Sequence, residues 1–139
     1  MTLKASIAML GFAFALAISD PVPAGAEPQM RDTIRSQIDA FLADDLERAF
    51  TFASPGIRNI FRTPENFGRM VREGYPMVWR PDRVEFLDMR EIDGAPWQKV
   101  LIRDARGRAH VLDYKMKPDG RGGWQIDGVR ILVAPDLAA

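Results

Sequence analysis

Apolar residues along this chain follow two regimes of spacing. Up to about residue 80 they recur with a period near 3.6, and from Asp82 onward with a period near 2, which is the change from helices to antiparallel strands. Met30, Ile34, Ile38, Phe41 and Leu42 form one stripe of an amphipathic helix, with Arg31, Asp32, Arg35 and Asp39 facing away. Asp44 and Glu47 have the spacing of a capping box, and Leu46, Ala49, Phe50 and Ala53 continue as a second helix ending near Ser54. Ser54-Pro55 and Thr63-Pro64 each open a further helix, since the first helical position leaves its N–H unpaired and proline has none to lose. Ile57, Ile60 and Phe61 share a face of the first of these. Phe67, Met70 and Val71 form the stripe of the second, which Gly74 and Pro76 close.

Four strands are predicted after that. In the first, Arg83 to Ile92, the alternation runs through Val84 and Phe86 and then shifts to Leu87 and Met89, as one inserted residue would cause, so a bulge is placed near Phe86. Asp93-Gly94 turns the chain into Trp97 to Asp104, with Val100 and Ile102 on one face and Trp97 and Leu101 on the other. Arg106-Gly107 turns it back into a third strand, where His110, Leu112, Tyr114 and Met116 share one face and Val111, Asp113, Lys115 and Lys117 the other. After Pro118-Asp119-Gly120 the last strand carries Trp124 and Ile126, passes a bend or bulge at Gly128, and resumes in the opposite phase with Val129, Ile131 and Val133. Helices followed by a four-stranded meander make an α+β fold.

The first residues carry an address rather than structure. Lys4, an uncharged stretch from Ala5 to Ile18 and the small residues Ala24-Gly25-Ala26 have the layout of a signal peptide over residues 1–26, with the mature chain starting at Glu27. The apolar run is shorter than the roughly 18 residues of a spanning helix, and Asp20, Pro21 and Pro23 end it, so no stable membrane anchor is expected. The predicted location is periplasmic or secreted. Residues 27–139 have the size of one domain with a single core.

Composition narrows the chemistry further. The 19 basic and 19 acidic residues cancel, and no polybasic tract points to nucleic acid. Cysteine is absent, which excludes disulfides and lipid attachment through a thiol, and a single histidine leaves a zinc or copper site short of ligands. No spaced acidic loop for calcium, no phosphate-cradling glycine loop and no nucleophile elbow occur. No metal or cofactor is expected.

The meander ending in Gly123-Trp124-Gln125-Ile126-Asp127-Gly128-Val129 resembles the nuclear-transport-factor-2-like superfamily, the cone-shaped α+β fold of ketosteroid isomerase, scytalone dehydratase and many binding modules. Residues 49–57, Gly74-Tyr75-Pro76-Met77-Val78-Trp79-Arg80-Pro81 and His110-Val111-Leu112-Asp113-Tyr114 resemble a bacterial family called domain of unknown function 4864, over nearly all of the mature chain. The superfamily resemblance implies a curved sheet wrapped around helices, a cup between them, and an outer sheet face used for pairing. The segment Ser54 to Arg62 is too short for the hairpin usual before the last helix, so a shallow cone is expected.

Three groups of residues are candidates for chemistry. His110 and Tyr114 lie on one face of one strand with Leu112 between them, either as an acid/base pair in an apolar cup or as a strand-start histidine and a core tyrosine. Asp88 and Arg90 lie in the bulged strand, pointing inward opposite Tyr114 on one phasing, or forming an ion pair on the outer face on the other. The stretch Tyr75 to Pro81, read as lying outside regular structure, either lines the mouth of the cup or serves as a rigid connector with Trp79 plugging the core. The reading favours a module binding a small apolar ligand through Tyr75, Trp79, Arg90, His110, Leu112, Tyr114 and Trp124, or pairing with a second copy through Val100, Ile102 and Val111 on the outer face. The alternative is an isomerase or hydratase with Asp88 or His110 as base and Tyr114 as hydrogen-bond donor.

Overall fold

The computed structural model describes Val22 and residues 25–133; the rest of the predicted leader and the tail after Val133 lie outside the described residues. Within them the order is five helices, α1 (Ala26–Leu42), α2 (Leu46–Thr51), α3 (Pro55–Phe61), α4 (Pro64–Gly74) and α5 (Pro76–Trp79), followed by β1 (Pro81–Ile92), β2 (Ala95–Asp104), β3 (Ala109–Pro118) and β4 (Trp124–Val133). The strands form one antiparallel sheet in sequence order. The fold is α+β, with all helices of the described residues N-terminal to the sheet.

α1 buries Met30, Ile34, Ile38 and Phe41 on the predicted stripe, each contributing about 1.5–3 kcal/mol of hydrophobic stabilisation. Leu42 departs from that stripe and is exposed at the helix end. The Gln37 side chain is buried instead, donating from Nε2 to the carbonyl of Ala49 at 3.1 Å and so tying α1 to α2. The cap of α2 is Asp45, which accepts from the Arg48 N–H at 3.1 Å. Asp44, the predicted cap, sits one residue too early, at φ 54°, and pairs with Arg80 across 2.5 Å. Ser54 and Thr63 cap α3 and α4 as expected, accepting from Ile57 N–H at 3.4 Å and Asn66 N–H at 3.1 Å. Gly68 lets α4 approach α2 closely: a Cβ there would lie 2.6 Å from a Leu46 methyl.

Of the four register shifts among the described residues of the sheet, two set its inner face at the helices. That between Val111 and Leu112 pairs Val133 with outward Val111 and so takes it out of the phase expected for it with Val129 and Ile131. Between Phe86 and Met89 β1 has one residue more than β2, so Val84, Phe86 and Met89 all pair with inward residues of β2. The carbonyl of Leu87, freed by this bulge, accepts from Gln98 Nε2 at 2.7 Å and from Arg31 Nη2 at 3.3 Å. Arg31 therefore reaches back to the sheet rather than facing solvent alone. The second bulge, at Asp127, brings Val129 to the same side as Ile126. The inner face thus carries Gln98, Val100, Ile102, Leu112, Tyr114 and Met116, each 1 % exposed or less.

The helices cover that face. α1 packs on α2, α5 and β4, α4 on α2, α3 and α5, and α5 on β1 and β2. The free edge of β4 is protected where Ala53 bridges Ile126: the Ser54 N–H donates to the Ile126 carbonyl and the Ile126 N–H to that of Phe52, each at 2.8 Å. This clamp also fixes the start of α3.

Candidate functional site

A cavity of about 230 Å³ lies between the inner face of the sheet and the helices. Its helical walls come from Gln37 and Phe41 of α1, Ile57 and Phe61 of α3, and Phe67, Met70 and Val71 of α4. Tyr75 and Val78 close one end, and Tyr114, Ile126 and Val129 form the sheet side. The aromatic wall is organised around Phe67, whose ring centroid lies 5.8 Å from that of Phe41, 5.5 Å from Phe50 and 5.9 Å from Phe61. Phe61 and Met70 also border a shallow surface groove with Ile60 and Arg69, so they separate the cavity from the outside. Ile60 itself is exposed, which corrects the shared face predicted for it with Ile57 and Phe61. At about 100° per residue Ile60 lies about 60° to one side of Ile57 and Phe61 about 40° to the other, so with Ile57 and Phe61 turned to the cavity Ile60 falls on the solvent edge of the stripe.

Three polar side chains meet the cavity. The Tyr75 hydroxyl donates to the carbonyl of Val129 at 3.2 Å, and the Gln37 amide is held by Ala49. The Tyr114 hydroxyl is wholly buried and has no hydrogen-bond partner within the chain. Burial, with a smaller contribution from Tyr75 nearby, raises the Tyr114 pKa above the ordinary phenol value, so the group keeps its proton throughout the neutral range. It is a neutral hydrogen-bonding group facing an apolar space. The cavity lining contains no carboxylate, imidazole, ammonium or guanidinium among the described residues.

The other predicted residues fall elsewhere. His110 is on the same face as Tyr114 but about 13 Å along the strand, at roughly 3.3 Å per residue, and it lies outside the cavity. Its Nε2 is 3.0 Å from Asp104 Oδ2, and its buried Nδ1 has no partner. Asp104 also accepts from the N–H groups of Arg106 and Arg108 at 2.9 and 3.0 Å. The His110 contact first, and then these backbone donors, hold the Asp104 carboxyl well below the usual range. This set organises the β2–β3 turn. The two candidates of the acid/base pair are therefore not brought together: four residues along an extended strand is too far for one proton transfer.

Asp88 and Arg90 are on the outer face, because the bulge ends before Met89 and returns Arg90 to register with Trp97. This settles their facing against the inward phasing and removes both from the cup. Asp88 lies 3.7 Å from Arg90 and 3.8 Å from Lys99. Arg90 bonds the fully buried carboxylate of Asp113, which also accepts from Arg130 at 3.2 Å, and the Arg130 guanidinium sits 4.2 Å from the Trp97 ring centroid. Val100 and Ile102 cannot form an outer apolar patch with Val111, since both are fully buried on the inner face and pair with Leu112 and His110. The outer face carries Trp97, Leu101 and Val111 around the charged Asp113 cluster.

Trp79 belongs to α5, a single turn of helix in the stretch read as irregular, and packs against Phe41 with centroids 5.7 Å apart and ring planes tilted by 47°. The Arg80 guanidinium lies over the Trp79 ring, 4.7 Å from its centroid. Leu112 is core, and Trp124 sits at the start of β4 opposite Pro118. Of the predicted ligand contacts, Tyr75 and Tyr114 line the cavity. Gln37, Ile57, Phe61, Met70 and Val129 join them without having been singled out. The periodicity of the four apolar ones was visible, but periodicity does not distinguish a residue facing a core from one facing a cavity within it, and the polar Gln37 gave no such signal.

Residues 24–139 match the family model described as domain of unknown function, DUF4864. The chain belongs to the DUF4864 family. No curated protein matches the sequence. The DUF4864 domain thus supplies its site as geometry: an apolar cavity with one uncommitted hydroxyl.

Proposed function

We propose that this DUF4864 protein is an exported module that binds a small, largely apolar molecule between its helices and the inner face of its sheet. The single observation that carries the binding reading is the 230 Å³ cavity lined by aromatic and aliphatic side chains of four helices and two strands. An apolar cavity of about 150 Å³ holds benzene or xenon, so this one has the capacity for a ring with a short substituent. The reading favours binding over isomerase or hydratase chemistry because such chemistry needs a base within about 3 Å of the substrate proton, and the lining supplies none among the described residues. Export rests on the leader composition of residues 1–26, and no helix among the described residues is long and apolar enough to cross a membrane. The helices stacked on a bulged meander support placement in the nuclear-transport-factor-2-like superfamily, with the cavity in the position of its cup.

Xenon is a direct probe of the apolar space. Dissolved xenon is expected to shift the ¹²⁹Xe resonance and the methyl signals of Ile57, Val71 and Val129 in the native protein, and Val129→Phe is expected to abolish both effects by filling the cavity. Absence of any xenon response in the native protein overturns the binding reading. Native mass spectrometry of protein recovered from its exporting host then reads the mass of any retained ligand.

A further inference from the structure

The polar groups of the cavity are unequal. Tyr75 and Gln37 are already engaged with the carbonyls of Val129 and Ala49. Beside Tyr114, the inward residues of its own strand are the apolar Leu112 and Met116. Its cross-strand neighbours are Gln98 and Val129. The Gln98 amide is engaged at the β1 bulge and with α1: its Nε2 donates to the carbonyls of Leu87 at 2.7 Å and Lys99 at 2.9 Å, and its Oε1 accepts from Arg31 Nε at 3.4 Å. The Tyr114 hydroxyl has no hydrogen-bond partner within the chain, and a fully buried hydroxyl without a partner is a recurring cost that native structures seldom carry without use. The wall around it has no counter-charge for an anion, and burying an unpaired carboxylate is far more costly than burying a neutral carbonyl. Scaling from benzene in about 150 Å³, the cavity takes a ligand of about nine non-hydrogen atoms.

Building on the binding reading above, we infer that the ligand is an uncharged molecule of this size with a carbonyl oxygen at one end, and that the oxygen accepts the proton of the Tyr114 hydroxyl while the apolar body lies against Phe41, Phe61 and Phe67. The specificity follows from what each alternative leaves unpaired. A hydrocarbon of the same shape leaves the hydroxyl unsatisfied, and a carboxylate brings a charge that nothing in the wall neutralises.

Acetophenone, isopropylbenzene and benzoate are matched in size and separate these cases when titrated by calorimetry. Replacing Tyr114 by Phe is expected to weaken acetophenone about tenfold and to leave isopropylbenzene unchanged or tighter, with benzoate bound to neither protein. Isopropylbenzene binding also certifies that the variant is folded. In the native protein the ¹³C-labelled carbonyl stretch of bound acetophenone is expected to move to lower wavenumber, as it does on accepting a hydrogen bond, and Tyr75→Phe is expected to leave that shift in place. Equal loss of acetophenone and isopropylbenzene, an unshifted carbonyl band, or preferential binding of benzoate each overturns the carbonyl assignment. If xenon enters but none of the three compounds does, the assignment falls while the apolar cavity stands; if xenon also fails, both fall.

Discussion

Replacing a buried tyrosine by phenylalanine usually costs stability, because the hydroxyl has a partner. Tyr114→Phe is expected to do the opposite. The hydroxyl is wholly buried and unpaired within the chain, and such a group carries a desolvation penalty of about 1–3 kcal/mol. Removing the oxygen returns that penalty and forfeits the few dispersion contacts of one atom, about 0.1–0.2 kcal/mol each. The net expectation is a gain of about 1 kcal/mol, seen as a thermal midpoint higher by about 4–5 °C and a higher urea midpoint at unchanged slope. Tyr75→Phe is the control: its hydroxyl donates to Val129, and losing that bond is expected to cost about 0.5–1.5 kcal/mol. The alkaline limb gives a second reading. The folded pKa of Tyr114 is raised, so above about pH 10 the unfolded chain loses a proton that the folded chain keeps, and stability falls as pH rises. That part of the fall is expected to vanish in Tyr114→Phe. A variant less stable than the parent by 1 kcal/mol or more, measured without added ligand, refutes the reasoning, since it would mean that the hydroxyl is paired.

Other parts of the fold give equally direct expectations. Gln98→Leu removes the amide that serves the Leu87 carbonyl in the β1 bulge and is expected to cost about 1–3 kcal/mol in urea unfolding, with faster hydrogen exchange confined at first to β1. Asp113→Ala leaves Arg90 and Arg130 facing each other across the outer sheet and is expected to cost about 2–4 kcal/mol, the partial exposure of both arginines keeping it below the full cost of breaking a buried pair. The depressed Asp104 pKa gives stability that is present above the ordinary carboxylate pKa of 3.8 and is lost as pH falls below it. Asp104→Asn is expected to flatten that acid limb, and an acid unfolding profile identical to the parent's would remove Asp104 from the account.

Much of the architecture was legible in residue order because it rests on local physics. The proline-opened helices at Ser54 and Thr63, the stripe from Met30 to Phe41, the alternation of His110, Leu112, Tyr114 and Met116, and the phase changes in β1 and β4 all follow from backbone geometry and the period of burial. Sequence alone also marked Tyr75 and Tyr114 and confined the chemistry to a neutral domain without thiols. It did not decide which way Asp88 and Arg90 point, because one bulge position reverses the facing of every residue after it, and only pairing with β2 fixes that position. Nor did it separate His110 from Tyr114, which share a face but lie four residues apart, one at the start of the strand and the other at its middle. The cavity belongs entirely to the tertiary structure. It exists because α3, clamped by Ser54 to the edge of β4, brings Ile57 and Phe61 over a sheet whose second bulge has turned Val129 inward, and no local pattern encodes that meeting of distant segments.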